Sequence, residues 1–144
     1  MKPWIKFKKL HVSAVIPRYQ STGAAGFDFH SIEDAELVAG KVILVATGLS
    51  CEMPEGYELQ IRCRSGLAAK SGVFLVNGIG TVDCDYRGEI KVILSTCSTQ
   101  PILLKAGERI AQGVISPVSQ AEILEVDELT DTQRGVGGFG STGR

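Results

Sequence analysis

Between Tyr57 and Arg64 apolar and polar side chains alternate without a break. Tyr57, Leu59, Ile61 and Cys63 fall on one side; Glu58, Gln60, Arg62 and Arg64 fall on the other. A repeat of two is the signature of a strand with one buried face. EIKV (89–92) begins in the same way before running into Ile93 and Leu94. Shorter apolar runs at 42–50, 73–76 and 109–115 are bounded by signals such as Ala39-Gly40, Pro54-Glu55-Gly56 and Ala106-Gly107. Turns form readily at such places, and many short strands with regular turns predict an all-β sandwich or barrel.

One stretch breaks the pattern. Residues 66–70, GLAAK, read as a short helix with Ser65 as N-cap and Gly72 as its closing residue. From about Asp127 the apolar periodicity fades. The expected organisation is a single β domain over 1–133 followed by a flexible glycine-rich arm over 134–144.

Composition narrows the options. With 144 residues, 44% of them hydrophobic, and a mean hydropathy of +0.13, the chain can bury the core of one domain. A net charge of −1 argues against a general nucleic-acid binder, which needs a basic face. Any anion must be met by a local cluster. The basic N-terminal stretch lacks the apolar run of a secretory signal, and no stretch reaches membrane-spanning length. A cytoplasmic protein with reduced thiols is therefore expected. Cys51, Cys63, Cys84 and Cys97 contain no CxxC pair, so the spacing of zinc ligands is missing.

Several stretches carry candidate chemistry. In CRSGLAAKSG, a helix N-terminus offers unpaired N–H groups to phosphate, Arg64 adds a charge-assisted contact, and Ser65 adds a hydroxyl. In GIGTVDCDYRGEIKV, Asp85-Tyr86-Arg87-Gly88 fits a β-turn, and Thr81-Val82 with Ile90-Lys91-Val92 would complete a hairpin around it. Asp83 then sits in the strand before the turn, where carboxylates are depleted. Beside an anionic ligand it is a candidate general base.

GERIAQGVI places Gln112 inside an apolar strand, where its amide needs partners. Gly113 beside it signals a bulge or a close approach. TGAAGFDFHS sets Asp28 between two phenylalanines. In RGVGGFGSTG, glycine amides with the Ser141 and Thr142 hydroxyls suit phosphate. Phe139 could cover an aromatic base and Arg134 could meet negative charge.

These stretches, AGFDFHS, RSGLAAKSGV, GTVDCDYRGEI, GERIAQGVI and RGVGGFGSTG, resemble the five ordered motifs of the homotrimeric deoxyuridine triphosphatases (dUTPases) over nearly the whole chain. The resemblance implies a jelly-roll-like fold and three active sites, each shared by three subunits. It implies hydrolysis of dUTP to dUMP and pyrophosphate, limiting uracil in DNA and supplying dUMP for thymidylate, with Mg2+ on the triphosphate.

By the same resemblance Asp83 activates the water that attacks the α-phosphorus, and Asp28 supports the metal's water shell. Arg64, Ser65, Gly66 and Gln112 contact phosphates. Main-chain groups near Asn77, Gly80, Thr81, Val82 and Lys91 read uracil, and Tyr86 packs against the sugar. The arm closes as a lid through Arg134, Gly140, Ser141 and Thr142, with Phe139 on the base. Two alternatives share the scaffold: a dCTP deaminase-like enzyme and a non-catalytic nucleotide-binding regulator.

Overall fold

Residues 2–140 are described in the computed structural model of the chain. The elements are β1 (Lys6–Lys9), β2 (Phe27–His30), β3 (Ala35–Leu37), β4 (Ile43–Ala46), β5 (Leu49–Glu52), β6 (Tyr57–Arg62), α1 (Ser65–Ser71), β7 (Val73–Leu75), β8 (Gly80–Val82), β9 (Lys91–Thr96), β10 (Ile102–Leu104) and β11 (Arg109–Pro117). All strand pairs are antiparallel.

A four-stranded sheet in the order β2-β11-β6-β8 and a three-stranded sheet β4-β9-β7 are joined by the pairs β1-β5 and β10-β3. The sheets remain open, without closing into a barrel. They enclose one core, to which Phe27, Phe29, Leu59, Ile61 and Ile110 contribute from one sheet and Val45, Val73, Leu75, Val92 and Leu94 from the other. This is a jelly-roll. The alternation along β6 holds as the pattern implies, with Leu59 and Ile61 buried and Cys63 packed at the edge of the core.

Three local expectations are corrected. The apolar run 42–50 is two strands, because Thr47 and Gly48 turn a corner between β4 and β5. Gly48 has φ +66°, and an added Cβ would stand 2.9 Å from His11 Cβ, so no other residue fits this corner comfortably. Ser65 is the first residue of α1 and not its cap. Arg64, in extended conformation, holds the cap position, and no side chain caps the helix. Gly72 does close it, at φ 62°. Of the two readings of Gly113, a bulge or a close approach, the close approach holds, with a Cβ there only 2.6 Å from the Phe27 ring; the bulge in β11 lies between Arg109 and Ala111.

The third correction concerns the hairpin. β8 pairs with β6, whereas β9 pairs with β4 and β7 in the other sheet. The segment between them is a crossover. Its turn spans Asp83 to Tyr86, closed by the Tyr86 N–H on the Asp83 carbonyl at 3.1 Å, two residues earlier than the sequence signal. Asp83 therefore takes the first turn position just beyond β8. Beyond Pro117, residues 118–140 form no strand or helix, so the irregular arm begins well upstream of residue 134.

Candidate active site

The end of β8 and the start of β9 diverge into different sheets, and a hollow of about 570 Å³ opens between them. Asn77, Gly80, Thr81, Val82, Asp83, Tyr86 and Lys91 all line it. Its floor is apolar, made by Ile61, Leu75 and Ile90. That size falls within the roughly 300–1,000 Å³ usual for small-molecule sites.

β8 is the edge strand of its sheet. One side bonds to β6, and the other presents main-chain N–H and C=O groups to the hollow, as an open edge does. The crossover matters here, since a β8–β9 hairpin would have consumed these groups. Gly80 permits close approach, because a Cβ there would lie 3.1 Å from Ile61 Cβ and 3.3 Å from the Asn77 amide nitrogen.

The Asp83 carboxylate is exposed and makes no side-chain hydrogen bond among the described residues. On its far side is a second hollow lined by Glu55, Glu58 and Asp85. Those carboxylates would repel a polyphosphate, leaving the first hollow as the side that an anionic nucleotide can approach.

A separate cluster forms at the other end of β6. Asp28, Gln112 and Arg62 are neighbours across β2, β11 and β6. The Asp28 carboxylate, nearly buried, accepts Arg64 Nε–H at 3.0 Å on one oxygen and an Arg109 Nη1–H at 3.2 Å on the other. Two guanidiniums against one carboxylate leave a net positive charge. The Gln112 Nε2–H donates to the Cys63 carbonyl at 2.9 Å, which braces the entry into α1. No acidic residue lies in the first turn of α1, so the Ser65 and Gly66 amides remain open to an anion.

His30, facing this cluster, has its pKa lowered by burial. The neighbouring Arg109 and Arg64 charges lower it further, and Asp28 opposes the shift.

Arg109 and Glu89 escaped the sequence reading. Arg109 reaches Asp28 only because β11 lies beside β2, a pairing that no local pattern announces. Glu89 lines the nucleoside-sized hollow and had been absorbed into the strand pattern. Both Asp28 oxygens are engaged by arginines, and each keeps a second lone pair with which to accept a hydrogen bond. Among the described residues no group of three or more His, Cys, Asp or Glu side chains could hold a metal ion.

Arg134 and Phe139 lie far out on the arm. Arg134 donates to the Gly137 carbonyl at 2.8 Å, and Phe139 is fully exposed at a positive φ of 51°. Gly140 has φ 90°, while Ser141 and Thr142 lie outside the described residues. Arg134, Phe139 and Gly140 do not line the hollow within one chain.

The two clusters lie apart. Asp83 adjoins Glu58 through the β6–β8 register, whereas Arg64 is six residues further along. That is about 20 Å of extended chain. The Arg64 guanidinium also turns toward β2, away from β8.

An open-edged hollow facing a carboxylate, together with a cationic cluster beside uncapped amides, defines a jelly-roll protein built to handle a phosphorylated small molecule. A dUTPase family profile matches residues 13–143. The chain is 58% identical to a deoxyuridine 5'-triphosphate nucleotidohydrolase of Nautilia profundicola, over 97% of this chain and 99% of that one. It is 49% identical to one from Helicobacter pylori strain P12, over 96% of each chain.

Among solved structures, a dUTPase from Streptococcus mutans superposes with a TM-score of 0.74 at 32% identity, covering 81% of this chain and 98% of that one. The G164S dUTPase of Staphylococcus bacteriophage 80alpha, solved with dUpNHpp, gives 0.84 at 25% identity, covering 98% and 99%. The chain belongs to the dUTPase family, enzymes that hydrolyse deoxyuridine triphosphate.

Proposed function

We propose that this enzyme cleaves dUTP between the α- and β-phosphates at a site shared by copies of the chain in a homotrimer. The separation of Asp83 from the Arg64 cluster supports this reading: about 20 Å of extended chain is longer than a triphosphate, so one nucleotide would draw on the hollow of one copy and the cationic cluster of another. The open surface fits such an assembly. Leu44, Phe74, Val76 and Ile79 are exposed on and around β4 and β7, and Ile123, Leu124 and Leu129 are exposed along the arm. An isolated chain would leave that apolar surface in water.

Uracil enters the first hollow edge-on to β8. Its N3–H, flanked by two carbonyl oxygens, meets main-chain acceptor and donor groups near Asn77, Gly80, Thr81 and Val82. Cytosine presents a different pattern and would leave buried groups unpaired, at a cost of about 1–3 kcal/mol each. Tyr86 packs against deoxyribose where a ribose hydroxyl would project.

Asp83 orients a water toward the α-phosphorus and takes its proton. As the water oxygen bonds to phosphorus, the α–β bridging bond breaks and pyrophosphate leaves. Arg64 and the Ser65 and Gly66 amides of the adjoining copy stabilise the charge that moves onto it. Gln112 keeps that corner in place. Mg2+ carried on the triphosphate would neutralise part of its charge, and Asp28 is the residue that would support the ion's water shell. The arm, with Arg134, Phe139, Gly140, Ser141 and Thr142, closes over the nucleotide. No helix among the described residues is long and apolar enough to cross a membrane, and a cytoplasmic role in limiting dUTP and supplying dUMP fits the reduced thiols.

One assay tests the reading: pyrophosphate release from dUTP, dCTP, dTTP and UTP with magnesium. Release confined to dUTP is the expected outcome. Ammonia from dCTP, or equal turnover of all four, would contradict it.

A further inference from the structure

Glu89 has no task in the reaction just described, yet it is tied in three directions. Its Oε1 accepts the Gly48 N–H at 3.0 Å. Its Oε2 stands 3.6 Å from Lys91 Nζ. Its main-chain carbonyl accepts the Tyr86 hydroxyl at 3.1 Å. The carboxylate thus joins the rim of the nucleoside-sized hollow to the corner between β4 and β5.

That corner is rigid. Beyond the crowding at Gly48, the Thr47 hydroxyl donates to the Ile90 carbonyl at 2.6 Å, and the Ile90 N–H donates to the Leu49 carbonyl at 2.8 Å. On the opposite side Tyr86 is seated against Gly88, where an added Cβ would collide with the ring and its hydroxyl. The ring therefore follows the backbone of 88–89. Whatever fixes Glu89 fixes Tyr86 with it.

We infer that Glu89 is a positioning residue that anchors the Tyr86–Lys91 rim to the Gly48 corner and thereby sharpens the discrimination of deoxyribose from ribose. The inference rests on the proposed reading that Tyr86 packs against the sugar. Of the carboxylate's two contacts, the Lys91 pair is long and half-exposed, a kind that contributes little. The bond to the Gly48 amide sits against a buried corner and matters more. A neutral amide of equal length can make that bond, whereas a side chain one methylene shorter cannot reach.

The test is kcat/KM for dUTP and for UTP in the wild-type protein and in Glu89→Gln, Glu89→Asp and Glu89→Ala. In the Asp and Ala variants the dUTP-over-UTP ratio should fall roughly tenfold, with the loss for dUTP in KM and kcat within about twofold. The Gln variant should keep the wild-type ratio. A purely structural role would lower stability and active fraction without moving the ratio.

An unchanged ratio in the Asp and Ala variants would overturn the inference, as would a Gln variant as impaired as Ala. If the Ala variant fails to fold, the Asp variant decides. A wild-type protein inactive on dUTP would instead sink the functional reading and this inference with it, so the two failures are told apart by the wild-type control.

Discussion

Asp83 stands at the first position of a turn, a place where aspartate is common for purely local reasons. Its neighbourhood marks it as more than a turn former, because it faces the open-edged hollow and its carboxylate is left without a hydrogen bond among the described residues. Replacement by asparagine keeps the shape and the turn while removing the base. Asp83→Asn should bind a non-hydrolysable dUTP analogue within a few-fold of wild type and lose turnover by at least about 100-fold, the lower end of a general base's usual contribution. Turnover near wild type would exclude the residue as the base. The sequence marked this carboxylate as out of place but put it inside a strand. Asp28 shows the opposite limit: its partners, Arg64 and Arg109, come from distant strands, so its engagement by two arginines was not legible from its own surroundings.

At the scale of elements, period-two alternation located β6 and its buried face correctly, since that signal is intrinsic to a pleated strand. Pairing is not intrinsic. The Asp-to-Gly turn signal around 85–88 pointed to a β8–β9 hairpin, yet Val92 is buried in the opposite sheet, with Ile90 buried just ahead of it, and that burial outweighs local turn chemistry. Gly113 illustrates the same dependence on distant neighbours. A Cβ there would lie 2.6 Å from Phe27, 2.7 Å from Phe29 and 2.9 Å from Leu59. The two rings pack edge to face at 5.6 Å and fill the space that a side chain at 113 would need. Gly113→Val should therefore cost about 1–3 kcal/mol of stability, as overpacking does, and Phe29→Leu in the same chain should recover part of it. Calorimetric unfolding of the three proteins checks this; an unchanged midpoint in Gly113→Val would refute the packing argument.

For the whole molecule, the Asp83 hollow and the Arg64 cluster lie at opposite ends of β6 in one chain. The order of motifs along the sequence was legible and placed both sets of residues in one reaction. What it could not convey was that β6 separates them by its length. The proposed shared site is supported by that distance together with the exposed apolar surface, and it is the claim on which the mechanism depends. Coexpression of two inactive chains, Asp83→Asn and Arg64→Gln, tests it most directly. Random mixing should assemble some sites with an intact Asp83 from one copy and an intact Arg64 from the next, restoring roughly a quarter of wild-type dUTP turnover. A mixture that stays as inactive as either variant alone, although mixed oligomers form, would show that each chain works by itself and would contradict the account.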